Sequence, residues 1–218
     1  MLSLSEENYL KAVFHLSNNG STTVQTNALA DAMQTKPASA TDMIRKLAAK
    51  ELVDYEKYRG LQITDLGRRQ ALKIVRRHRL WEVFLVQKLG FMWDEVHDIA
   101  DQLEHVQSSL LTDRLDQYLG FPKYDPHGDP IPDAAGEFVI KPKILLTELP
   151  VQQPATVVAV KDSSTGFLQY LDRIGAYIGA TVAVEERMAF DGSLHLKIDG
   201  TKAAFLSREA AENIMVTA

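Results

Sequence analysis

Residues 26–64, TNALADAMQTKPASATDMIRKLAAKELVDYEKYRGLQIT, run through two short helical segments, a tight turn and two strand-like stretches in immediate succession. Thr26 is placed to cap a helix over 27–33, and Gln34-Thr35-Lys36 reads as a brief turn. Pro37 suits the first turn of the next helix, because its fixed φ is helical and its missing N–H is not needed there. That helix is expected to reach about Lys50. Two short helices, the second rich in Ser, Thr, Lys and Arg, read as a helix-turn-helix. Residues 52–57 and 61–64 then alternate like strands about Arg59-Gly60, the pattern of the wing in a winged helix.

On the N-terminal side, Ser3 and Glu6 have the spacing of a capping box. Tyr9, Leu10, Val13, Phe14 and Leu16 recur at helical intervals, so a first helix is expected to end near Asn18-Asn19-Gly20, with an extended stretch at 22–25. On the C-terminal side, a long helix over 65–89 carries Leu72, Val75, Leu80, Val83, Phe84 and Val86, and Gly90 ends it. Further helices are expected over 93–106 and 109–119. This is more apolar helical surface than a winged helix needs for its own core, and it predicts a homodimer interface.

From 121 to 149 the composition changes, with five prolines between Pro122 and Pro142, and an irregular loop is expected. Residues 155–160, 181–187 and 194–198 alternate like strands, with turns at Asp191-Gly192 and Asp199-Gly200 and a helix over 167–174. The fold expected is therefore mainly α with a small β-barrel-like module. Its parts are a winged helix-turn-helix over 1–72, a helical domain over 73–142 and a β module over 150–218.

A hydrophobic content of 45% in 218 residues is ordinary for a globular chain. No window reaches the roughly eighteen apolar residues of a membrane span. Residues 1–7 lack the basic start and apolar core of a signal peptide, so a cytoplasmic location and no membrane partner are expected. The absence of cysteine excludes disulfides, zinc ribbons and iron–sulfur clusters. Any metal must be held by carboxylate, imidazole, amide or backbone oxygen. The formal net charge is -5, yet residues 36–79 hold twelve Lys/Arg against five Asp/Glu. That local excess of +7, set against -12 elsewhere, suits phosphate attraction because screening confines electrostatics to about 10 Å.

The stretch 97–105, HDIADQLEH, carries the chemistry. On a helix His97, Asp101, Glu104 and His105 share one face, and His78 and Glu82 form a second pair four residues apart on the preceding helix. Two antiparallel helices would gather both sets. Such a set either faces solvent or binds a divalent cation, since buried carboxylates otherwise repel one another or take up protons.

These residues resemble a known family, the diphtheria toxin repressor and manganese transport regulator family of metal-dependent repressors. The likeness runs through Glu7-Asn8-Tyr9-Leu10, Tyr55-Glu56-Lys57-Tyr58-Arg59-Gly60-Leu61, Arg77-His78-Arg79-Leu80-Trp81-Glu82, the stretch 96–105, and Pro126-His127-Gly128-Asp129-Pro130-Ile131-Pro132, in the family's order. The resemblance implies that the β module is an SH3-like (FeoA-like) domain. It implies one metal site from Asn8, Asp101, Glu104 and His105, and another drawing on His78, Glu82 and His97. Position 101, Cys or Glu in the family's iron and manganese branches, is Asp here; position 8, Met or Asp there, is Asn. Lys11 stands where some manganese regulators have a carboxylate, which counts against a binuclear site of that type. The family's ancillary ligands in the β module fall near Ser163 and Gly166, so no ligation is expected from it.

The donor set is oxygen-rich with one imidazole, which ranks Mn2+ first and Fe2+ second. By the same resemblance, the function expected is repression of metal-uptake genes through operator DNA. The DNA contacts expected are Thr35, Lys36, Pro37, Ser39 and Thr41 at the start of the recognition helix, with Arg45, Lys46, Lys57 and Arg59 around it. Two other readings fit parts of the sequence: a metallohydrolase using His105 and Glu104, and a winged-helix regulator sensing an organic ligand. The first lacks a nucleophile–base pair, and the second requires an apolar pocket.

Overall fold

Ser3 accepts the Glu6 amide while the Glu6 carboxylate reaches back to the Ser3 amide, and this reciprocal cap opens α1, Leu4–Leu16. The computed structural model describes residues 2–57, 59–138 and 142–217; Tyr58 of the wing lies outside them. The chain divides into two units. The first comprises Met1–His78, Asp101–Asp113 and Pro132–Glu137; the second comprises Arg79–Ala100, Arg114–Ile131 and Phe138–Ala218.

In the first unit, α1 packs against α2, Thr26–Ala32, and α3, Pro37–Ala49. Their apolar stripes meet in a core that buries Leu10, Val13, Phe14, Leu29, Ile44 and Leu47. Thr26 is the first residue of α2 and not its cap: Gln25 takes that position and makes no side-chain capping bond. Pro37 occupies the first turn of α3, as its fixed φ requires. The wing is the antiparallel pair β1, Val53–Glu56, and β2, Gly60–Ile63, and Val24 bridges to Leu61 beside it. Gly60 has φ +100, and a Cβ there would lie 2.5 Å from the Val24 carbonyl oxygen, so the close approach of the strand edge demands glycine.

Helix α4, Asp65–Leu89, has the bounds expected of it; it belongs to the first unit through His78 and to the second from Arg79. The helix expected over 93–106 is shorter. It is α5, His97–Leu103, because Glu95 turns back to accept the Met92 amide and its own amide donates to the Met92 carbonyl. Helix α6 spans Ser109–Tyr118.

In the second unit, Leu80, Val83, Leu115 and Ile131 form one small core. A larger core lies within a six-stranded antiparallel sheet, ordered β3 (Ile144–Leu145), β8 (Ile214–Thr217), β4 (Pro154–Val160), β5 (Thr181–Arg187), β6 (Leu194–Ile198), β7 (Lys202–Leu206). Alternate residues such as Val182, Val184, Leu194 and Leu196 point into this core, joined by Leu168 and Leu171 of α7, Thr165–Ile174. Bulges in β4 and β5 bend the sheet around them. Strands β3, β7 and β8, and the short α8, Arg208–Ala211, were not expected from the sequence. Among the described residues no helix is long and apolar enough to cross a membrane.

Candidate metal centre and nucleic-acid interface

Helical spacing puts Glu7 and Lys11 one turn apart on α1, with Asn8 beside them. Glu7 is buried. Its Oε1 accepts Arg77 Nη2 at 2.7 Å, and its Oε2 lies 2.6 Å from His105 Nδ1. A carboxylate held by a guanidinium accepts, so Nδ1 is the donor and the Nε2 lone pair of His105 is left free, the tautomer a metal ligand needs. Arg77 Nε also donates to the Glu104 carbonyl oxygen, fixing the backbone at the end of α5.

Glu104 has no exposed surface. Its Oε2 receives Lys11 Nζ at 2.7 Å and lies 2.8 Å from His78 Nδ1. Among the described residues its Oε1 has no hydrogen-bond partner, and it lies 3.9 Å from His105 Nε2. An unsatisfied buried carboxylate oxygen costs more than a hydrogen bond returns, so the arrangement calls for a charge between Oε1 and Nε2. Two ligands each about 2.1 Å from one ion can span such a gap, so these residues fit a divalent cation. Next to them, Asp101 Oδ1 lies 2.8 Å from Lys11 Nζ and 3.2 Å from His78 Nδ1. Burial alone would raise the Asp101 carboxyl, but the His78 hydrogen bond and the Lys11 ammonium outweigh it and hold the group well below the usual carboxylate range.

A second group lies wholly in the other unit. Glu82 Oε1, 2% exposed, is 3.4 Å from His97 Nδ1 and 3.6 Å from His127 Nδ1. Glu82, Asp125 and His127 are all buried, with one ligand atom of each within 4.8 Å of the others. His127 Nε2 donates to the Trp93 carbonyl at 2.8 Å, which turns Nδ1 towards the carboxylates. Burial, reinforced by Glu82 and Asp129, pushes the Asp125 carboxyl up to about 7, against the pull of Arg79 and His127. Burial would lower His127, but Glu82 and Asp125 raise it to about 9. Two carboxyls held out of water beside one imidazole offer a divalent ion oxygen and nitrogen donors, and an ion there would relieve the repulsion between Glu82 and Asp125. Gly128, at φ +84, lets this loop lie against the sheet, where a Cβ would collide with the Val158 carbonyl oxygen.

On α3 the inward face is Ala40, Ile44 and Leu47, while Lys36, Pro37, Ser39, Arg45 and Lys46 are exposed, as are Lys57 and Arg59 on the wing. Thr35 and Thr41 are half-buried, and the Thr41 hydroxyl donates to the Pro37 carbonyl at 2.8 Å. Arg45 pairs with Asp42 at 3.4 Å and Arg59 with Glu56 at 3.2 Å, both exposed exchanges of little cost to break.

Of the expected metal ligands, Asp101 and Glu104 meet at Lys11 and His78, His105 faces Glu104, and Glu82 meets His97. Asn8 stands half-buried on α1, beside Glu7. Sequence reasoning missed Glu7 and Arg77, which orient His105, and it missed Asp125 and His127. The latter sit in an aperiodic proline-rich loop, and their burial is the only signal of their chemistry.

Known proteins share this organisation. Residues 1–61 match the iron dependent repressor N-terminal DNA binding domain, 64–133 the iron dependent repressor metal binding and dimerisation domain, and 144–218 the FeoA domain. The chain is similar to a manganese-dependent transcriptional repressor solved in complex with manganese, at 39% identity and TM-score 0.86, covering 98% of this chain and 99% of that one. It is also similar to ScaR with bound Zn2+, at 35% identity and TM-score 0.78, covering 97% and 98% of the two chains. The iron-dependent repressor IdeR of Mycobacterium tuberculosis is 29% identical, over 96% of this chain and 95% of its own. The chain belongs to the diphtheria toxin repressor family of divalent-metal-dependent transcriptional repressors, which are not enzymes and which bind operator DNA as homodimers.

Proposed function

We propose that this protein is a manganese-responsive repressor of metal-uptake genes, with Fe2+ the second candidate ion. The observation that carries the proposal is Glu104 Oε1, a buried acceptor that has no hydrogen-bond partner among the described residues and faces His105 Nε2. In this reading Glu104 and His105 hold the ion, with Asp101 and Asn8 completing an oxygen-rich set. Glu82, Asp125 and His127, with His97 at their edge, form a second candidate site of similar hardness, and His78 serves the first group. Thiolate is absent from the chain, which removes the donor that favours zinc or copper. Manganese in the similar repressor supports the ranking.

The ion supplies positive charge and a fixed set of ligand directions. Asn8 belongs to the winged helix over 1–72, and Asp101, Glu104 and His105 to the helical domain over 73–142. Fixing the first against the second sets where the two recognition helices of a dimer meet successive major grooves. Lys36, Pro37, Ser39, Thr35 and Thr41 then face the duplex, with Arg45, Lys46, Lys57 and Arg59 on phosphates. Exposed Leu89, Tyr118 and Phe121 in the second unit supply apolar surface for the dimer.

A cavity of about 700 Å³ in the first unit has a mixed lining, with Leu52, Leu66, Leu72 and Ile74 beside Lys50, Arg69 and Arg76. The test is fluorescence anisotropy on a duplex selected from a random library in mixed divalent ions. Binding should follow Mn2+ ahead of Fe2+ and Zn2+, vanish with chelator, and vanish in Glu104→Gln. Metal-independent binding would overturn the proposal.

A further inference from the structure

The 700 Å³ cavity of the first unit takes one wall from α4, where Leu66, Arg69, Gln70, Lys73, Arg76 and Arg77 recur at helical intervals and share a face. Buried Leu52, Leu72 and Ile74 add apolar surface to the lining. Its charges do not balance: five basic side chains stand against three acids, and each acid is already engaged. Arg77 and His105 hold Glu7, Arg76 lies 3.8 Å from Asp113, and Asp133 accepts the amides of Ala135 and Glu137 at 2.8 and 3.0 Å. Lys50 is taken by Glu6 at 2.6 Å. Arg69 and Lys73, exposed and one turn apart, have no hydrogen-bond or ion-pair partner for their side chains among the described residues. Like charges so placed on a helix repel unless an anion lies between them.

We propose that this cavity binds a small amphipathic organic anion, its acid group between Arg69 and Lys73 and its apolar body against Leu52, Leu66, Leu72 and Ile74. The guanidinium fork of Arg69 suits two oxygens of a carboxylate, sulfonate or phosphate ester, and the Lys73 ammonium adds a point charge. The volume is that of an ordinary small-molecule pocket. An inorganic anion would leave the apolar lining in water, and a neutral hydrocarbon would leave both cations unmatched. Lys50 and Leu52 follow the recognition helix, while Thr112 and Asp113 belong to α6. An occupant therefore braces the end of the helix-turn-helix against α6. The proposal does not depend on where the divalent ion binds.

The experiment is a titration of the full-length protein, with Mn2+ present, by the fluorescent amphipathic anion 1-anilinonaphthalene-8-sulfonate. The wild type should bind one equivalent per protomer saturably. Octanoate or octyl phosphate should displace the probe, and the stronger of the two names the acid group. Octan-1-ol and inorganic phosphate, each with half of the required chemistry, should not displace it. Arg69→Gln/Lys73→Gln should weaken binding about tenfold or more, the cost of losing charge-assisted hydrogen bonds. The charge-conserving Arg69→Lys/Lys73→Arg should keep most of the affinity, and Leu66→Ser should lose part of it. Both side chains of the pair are exposed, so the circular dichroism of each double variant should match wild type. Absence of saturable binding, or displacement by octan-1-ol or phosphate alone, overturns the proposal. So does a Gln double variant that keeps its affinity for the probe; if that variant also loses affinity for operator DNA, the pair serves DNA phosphates instead.

Discussion

His105 Nδ1 lies 2.6 Å from Glu7 Oε2, and the other oxygen of Glu7 receives Arg77 at 2.7 Å. A residue of the first helix of the winged domain thereby sets the ring of the histidine that faces Glu104. Glu7→Gln should weaken Mn2+ binding about 10- to 100-fold, the usual cost of losing a carboxylate behind a metal-ligating histidine. Isothermal titration calorimetry reads this directly. The circular dichroism of the variant should match wild type.

Removing the Lys11 ammonium leaves Glu104, wholly buried, and Asp101 facing each other with one cation fewer. In chelator, Lys11→Met should lose about 3 kcal/mol of stability, the low end for breaking a buried pair from one side. Asp101 is 45% exposed, which keeps the loss from being larger. The measure is the shift in denaturant midpoint, and added Mn2+ should recover part of it.

The second group predicts a pH dependence. Between pH 7 and 9 His127 carries a proton that an ion on Nδ1 must displace, while Asp125, at about 7, is already ionising. Affinity there should rise about tenfold per pH unit and level off above pH 9. In the metal-free protein the raised His127 adds stability that is full below its unfolded value of 6.5 and lost as pH rises through 9. His127→Ala should flatten both trends, as followed by calorimetry and thermal melts across the range.

Lys36 and Arg59 are exposed at the start of the recognition helix and on the wing. Each alanine variant should weaken operator binding and lower the slope of log K against log salt by about one, as expected when one fewer phosphate is neutralised. Anisotropy titrations at several salt concentrations give the slope.

Gly128→Ala meets the Val158 carbonyl oxygen and a φ of +84 at once. A loss of about 3 kcal/mol is expected from combined overpacking and backbone strain. The effect on the melting temperature should be accompanied by weakened metal binding at Glu82, Asp125 and His127, since residue 128 follows His127 directly.

The parts of the fold readable in the sequence are those set by local chemistry. The reciprocal cap of Ser3 and Glu6, Pro37 at the head of α3, the wing turn at Gly60 and the full extent of α4 follow from spacing within a few residues. The 93–106 helix failed because Glu95 bends back on Met92 and the indole of Trp93 is drawn to Asp172, a tertiary partner that periodicity does not show. At the candidate centre, helical spacing put His97, Asp101, Glu104 and His105 on one face. Helix α5 ends at Leu103, however, so Glu104 and His105 stand in the turn after it, and His97 meets Glu82 instead. That spacing also gave no sign that Lys11 would stand between carboxylates, because an ammonium at that position reads equally as solvated surface. Asp125 and His127 lie in a loop without period, and only folding brings them to Glu82.

The most direct test is the anomalous scattering of manganese in crystals of the protein grown with Mn2+ and its selected duplex. A peak within bonding distance of both Glu104 Oε1 and His105 Nε2, with the Lys11 ammonium still on Glu104 Oε2, is the predicted result. A DNA-bound dimer with no ion between Glu104 and His105 would contradict it.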